Sequence, residues 1–143
     1  MKILNTRFWL LATGTLFTVF PTIGALSGQT VASAPSYWPG TLSAREAEIA
    51  AVVELAWNFH ILALGLVILG IGLLAPEPLR ARLGVIAMVG FALSQVLSAG
   101  TAAQFGYGAA DGLDAFAFVV IGVPLLTLIT CAVRWNAKPV SNS

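Results

Sequence analysis

The sequence predicts an all-α, polytopic membrane protein: one domain, a bundle of four transmembrane helices, with both termini on the cytoplasmic side. Three observations predict it. Charge is scarce, because 13 of the 143 residues are charged, or 9%, where a soluble domain carries about 25%. Apolar residues make up 58% of the chain and mean hydropathy is +0.91, so there is too little polar surface to cover a water-facing fold. The apolar residues gather into four runs of spanning length and do not alternate, which leaves a β-barrel unsupported. The same composition excludes a soluble enzyme, a disordered chain and a nucleic-acid binder, which would need a basic stripe.

The four spans cover about 8–26, 52–74, 83–103 and 113–133. None has Lys or Arg in its interior. Lys2 and Arg7 precede the first, Arg80 and Arg82 lie between the second and third, and Arg134 and Lys138 follow the fourth. Six of the seven basic residues thus fall on one side, with Arg45 alone on the other, and basic residues favour the cytoplasm. In a bacterium the residence would be the cytoplasmic membrane.

The first span also matches a signal peptide, with Lys2 and Arg7 as its basic start and Ala32-Ser33-Ala34 as a cleavage site. Ala34, however, lies fourteen residues beyond Phe20, where the most apolar part ends, so the reading favours a retained helix. The outer loop, 27–42, is rich in Ser, Thr, Gly and Pro. Its Tyr37-Trp38-Pro39-Gly40 is expected to lie against the outer membrane surface.

Ser43-Ala44-Arg45-Glu46 has the S-x-x-E spacing of a capping box and predicts the start of the second helix. From there to Leu74 an α-helix would run about 48 Å, longer than a roughly 30 Å hydrocarbon core, so its first two turns should project outward or lie oblique at the interface. Pro76-Glu77-Pro78 ends it and predicts a tight antiparallel hairpin with the third helix. Pro21 and Pro124 fall within the first and fourth spans and should kink them.

Small residues mark where membrane helices approach. Ala56, Ala63 and Gly70 recur every seven residues on the second helix, and Gly65 and Gly72 form another such pair. Gly84, Ala87, Phe91, Ser94, Ser98 and Thr101 form a stripe on the third helix; Ala115 and Gly122 share a face of the fourth.

The polar residues are unevenly placed. Glu54, Trp57, Asn58 and His60 lie in the outer half of the second helix. Gln95, Ser98, Thr101 and Gln104 lie in the outer half of the third, and Asp111 and Asp114 at the outer start of the fourth. Residues 61–74 and 84–93 carry no polar side chain. Polar groups inside a bilayer face a bundle interior or a wet cavity, so their shared depth predicts one pocket open to the outer side. Glu54 and Asn58 share a helix face, whereas His60 lies about 160° around from Asn58.

Each residue also has a plain structural role open to it. Glu54 can be solvated or paired with Arg45, the two aspartates can cap a helix, and the amides and hydroxyls can join helices. Cys131, in an apolar run, reads as a packed thiol, and as the lone cysteine it excludes an intrachain disulfide. The lone histidine argues against a multi-His metal or haem site, so no metal site is expected, and the sequence identifies no cofactor.

Three functions follow as expectations. The first is a membrane subunit or binder of a lipophilic small molecule, through Trp57, Asn58, Gln95, Ser98, Thr101, Gln104 and Asp111. The second is a membrane enzyme, an isomerase, cyclase or quinone-type oxidoreductase, with Glu54, His60 and Asp114 as acid/base groups. The third, transport, is weakened because the polar residues stop halfway. The partners expected are the lipid bilayer, the lipophilic molecule, and a membrane-protein partner or a second copy of the chain. The run Trp57-Asn58-Phe59-His60, followed by Ala63-Leu64-Gly65-Leu66, resembles the DoxX-like small membrane proteins, and the resemblance implies a four-helix bundle.

Overall fold

A computed structural model describes residues 5–108 and 115–137; Asp111 and Asp114 lie outside the described residues. The described chain is helical, with no β-strand: α1 Thr6–Leu26, α2 Gln29–Ser33, a 3-10 turn Ala34–Tyr37, α3 Ala44–Leu74, α4 Leu79–Ala103 and α5 Ala115–Val133. Three of these, α1, α3 and α4, are long and apolar enough to cross a membrane. The apolar stretch described in α5, Phe118–Val133, is shorter. The helices are apolar on their outward faces as well as their packed ones. On α3, Leu66 and Val67 are exposed beside buried Gly65 and Ile68. A helix in water would place charges on that outer face.

α3 begins where its capping box predicts. The Ser43 side chain accepts from the Glu46 amide, and the Ser43 amide donates to the Glu46 carboxylate at 2.8 Å. Its 31 residues span about 47 Å. Both α1 and α5 continue through their prolines, Pro21 and Pro124.

α1 packs most extensively on α3, and α4 on α5, with α1 also against α5. Glycines permit the closest crossings. A Cβ on Gly14 would stand 2.8 Å from the Leu69 amide nitrogen, and one on Gly65 would stand 2.8 Å from the Phe17 carbonyl carbon. Gly84 meets Cys131 in the same way, since a Cβ there would be 2.5 Å from its sulfur. The α3 seam therefore runs along Gly65 and Gly72. The alternative series does not form one: nothing lies within 4 Å of a Cβ on Gly70, and Ala56 and Ala63 are exposed. On α4 the stripe is packed at Gly84, Ala87 and Phe91, but Ser94 and Thr101 face outward. A Cβ on Gly122 likewise meets nothing within 4 Å, so this part of the expected α5 seam is open.

The core lies in the half nearest the α3–α4 connection, where Leu10, Phe17, Ile68, Met88 and Cys131 are buried together. It is not wholly apolar. The Thr13 and Thr127 hydroxyls meet at 2.7 Å, and Thr127 can also donate to the Val123 carbonyl, one turn back, at 2.9 Å. The polar residues are thus not all in one half, because α1 and α5 carry threonines that the pattern on α3 and α4 does not reveal.

The same end holds four of the five described basic residues, Arg7, Arg80, Arg82 and Arg134. Thr6 donates to the Glu77 carboxylate, which stands 3.9 Å from Arg80. Arg82 donates to the Trp135 carbonyl at 3.3 Å and lies 5.9 Å from the centre of its ring. These contacts tie the starts of α1 and α4 to the end of α5. Arg45 is at the opposite end, paired with Glu48 at 3.1 Å.

The α3–α4 hairpin is not tight. The two helices share a short connection but little packing, and their far halves part around a cleft. The segment 27–42, read from the sequence as a loop, is partly helical. It folds into α2 and the 3-10 turn and packs on α3 itself: Ala34, Ala50 and Ala51 are buried together, flanked by Trp38 and Leu42. This packing covers the early turns of α3 at Ala50 and Ala51.

Candidate functional site

Two adjoining clefts open in the half of the molecule that holds α2. The larger, about 640 Å³, lies among α1, α3, α4 and α5 beneath α2. Phe17 and Phe91 form its floor, with ring centres 4.7 Å apart and the buried core behind them. The smaller, about 440 Å³, lies between α3 and α4. Glu54, Trp57 and Gln95 line both.

Glu54 is 8% exposed. Its carboxylate accepts a hydrogen bond from the Tyr107 hydroxyl. Tyr107 reaches it because the turn after α4 docks on the α2 side. The Gly108 amide donates to the Tyr37 carbonyl at 2.8 Å, and Gly106, in the left-handed region with φ 73°, lies against Pro39. A left-handed φ carries little steric cost for glycine alone, so Gly106 and Gly108 let the chain turn there. Burial, then the neighbouring Glu54, raises the Tyr107 phenol above its ordinary range. Of the plain roles open to Glu54, pairing with Arg45 does not occur, since Arg45 is engaged by Glu48.

The aromatic side chains gather around this acid. The Trp38 and Tyr107 rings meet edge to face at 5.2 Å, and Tyr37 stands 6.1 Å from Tyr107. Trp57 follows Glu54 by three residues on the same helix face. The buried Trp38 indole nitrogen has no hydrogen-bond partner among the described residues. A buried donor without an acceptor is uncommon in native proteins.

Of the residues singled out in the sequence, Glu54, Trp57, Asn58, Gln95 and Ser98 line the clefts. Asn58 does so from beneath α2, where its amide donates to the Thr30 hydroxyl at 2.6 Å. His60 is exposed on the far face, with Nδ1 2.6 Å from the Ala56 carbonyl. Thr101 is exposed and donates back to the Leu97 carbonyl at 2.9 Å, and Gln104 is exposed. These three do not line the clefts. Thr30, Trp38 and Tyr107 do, and none carried a signal beyond the aromatic bias of its loop.

Chemically, the arrangement offers a buried carboxylate, two amide side chains, an indole donor and aromatic walls, over an apolar floor. No group of three or more potential metal-ligating side chains occurs among the described residues. No protein family matches the chain, and no curated protein or solved structure matches it either.

Proposed function

We propose that the chain is a four-crossing integral membrane protein, termini in the cytoplasm, that binds a lipophilic small molecule by its polar end in the outer half of the bilayer. Glu54 carries this reading. It is a buried acid on a helix of spanning length, at the junction of two aromatic-walled clefts. Such an acid costs stability relative to a packed apolar residue, and ionisable groups within membranes mark ligand and ion sites. The Phe17–Phe91 floor suits an apolar chain, while Asn58, Gln95 and Glu54 sit where a polar head would rest. α5 is the fourth crossing, and the Arg82–Trp135 contact supports its running alongside α4. The orientation rests on the basic end, and the plan is the one that the DoxX-like resemblance implies.

Binding is favoured over catalysis because His60, the expected partner in acid/base work, faces away from Glu54. It is favoured over transport because the aromatic floor closes the larger cleft. An aliphatic diazirine, photolysed in native membranes, tests the reading. Labelling should concentrate at 54–61 and 91–98 and fall when Ser98→Trp fills the smaller cleft. Labelling no greater there than at the outward-facing Leu66 and Val89 would overturn it.

A further inference from the structure

We infer that the polar end of the bound molecule is a monovalent organic cation: an alkylammonium, either free or part of a lipid headgroup. The inference rests on the proposed binding role of the cleft and adds the charge of its ligand. It starts from an imbalance. The Glu54 carboxylate is buried, and its partner among the described residues is a neutral hydroxyl. Arg45, the basic residue at this end, is held by Glu48 and stands nine residues away, about 14 Å along the helix. The other described arginines are at the opposite end, where Glu77 and Trp135 engage two of them. A buried carboxylate without a cation is costly, and a cationic ligand would supply the missing charge.

The walls suit the same charge. An ammonium group is drawn to aromatic faces, most strongly to tryptophan, and Trp38, Trp57 and Tyr107 share the smaller cleft with Glu54. Aromatic rings beside an acid recognise a methylated ammonium without needing it to donate a hydrogen bond. An anionic head would be repelled by Glu54, and an uncharged one would leave it uncompensated.

The test uses the whole chain in uncharged maltoside micelles, with tryptophan fluorescence as readout and probe concentrations expressed per micelle. The probes are decyltrimethylammonium, its uncharged carbon isostere 2,2-dimethyldodecane, and decylphosphocholine. The ammonium should bind at least tenfold more tightly than the isostere. Glu54→Gln should remove most of that preference while leaving the isostere unchanged. The comparison of ammonium with isostere on the wild-type chain decides the charge of the ligand by itself, so the test survives even if Glu54→Gln fails to fold. Equally tight decylphosphocholine would identify a lipid headgroup as the source, and weaker binding a free amphiphilic amine; both support a cation site. Equal, saturable binding of ammonium and isostere would overturn the cation inference and leave the binding role standing. Failure of every probe to saturate would overturn both.

Discussion

Replacing Gly65 by alanine should loosen the joint on which the clefts depend. A Cβ there would stand 2.7 Å from the Thr18 hydroxyl, 2.8 Å from the Phe17 carbonyl carbon and 2.9 Å from the Thr18 amide nitrogen. The hydroxyl can rotate, but the other two atoms are backbone. Ordinary contact begins near 3.4 Å, so α1 must move away by about 0.6 Å. A gap of that size forfeits about a quarter to a half of each dispersion contact it opens. Overpacking of this kind costs roughly 1–3 kcal/mol. Alanine also favours a helix over glycine by roughly 0.5–1 kcal/mol, which would mask part of the loss. Gly70 removes that ambiguity: it is on the same helix, and a Cβ there meets nothing within 4 Å. The propensity gain cancels between Gly65→Ala and Gly70→Ala. Gly65→Ala should therefore be less stable than Gly70→Ala by roughly 1–3 kcal/mol in reversible unfolding in mixed micelles. Equal stability of the two variants would refute the close α1–α3 crossing.

Other consequences can be measured separately. Ser43→Ala should cost roughly 0.5–2 kcal/mol and raise hydrogen exchange over residues 44–50; unchanged protection would place the start of α3 elsewhere. Tyr107→Phe should cost roughly 1–3 kcal/mol by leaving the buried Glu54 oxygen without its donor, as read from the unfolding midpoint. Tyr107 also sets a pH dependence. Its folded pKa lies above the unfolded value near 10, so its contribution is fully present below that value and is lost as pH rises through the folded pKa. Ultraviolet titration should show a late tyrosine ionisation above the ordinary range that Tyr107→Phe abolishes; a late phase surviving the change would contradict the assignment. With Cys131 replaced by serine, cysteines at the exposed Ser36 and Gly108 should label from outside intact cells, and one at the exposed Pro76 should not. Labelling of Pro76→Cys from outside would reverse the orientation.

What could be read from the sequence was what short range decides. The cap at Ser43 depends on Glu46 three residues away, and Pro76 and Pro78 end α3 through their own backbone chemistry. The separation of His60 from Asn58 follows from helical periodicity alone. The choice of seam was not legible. Gly65 and Gly72 share their seven-residue spacing with Ala63 and Gly70, and only the approach of α1 distinguishes them. Tyr107 and Thr30 were missed for a related reason. Tyr107 reaches Glu54 through a turn that Gly106 and Gly108 allow and that docks on Tyr37 and Pro39, and Thr30 reaches Asn58 from α2, in a stretch rich in Ser, Gly and Pro that reads as loop. Thr13 and Thr127 escaped notice because a lone threonine in an apolar run looks like packing until its partner on another helix is known.

The central claim, a cleft in the outer half that holds a lipophilic molecule, is tested most directly by mass spectrometry of the intact protein released from its native membrane. The account predicts a bound species of defined mass on the wild-type chain, lost from Ser98→Trp while the protein remains folded. A bare wild-type chain, or the same bound species at the same occupancy on both proteins, would contradict it.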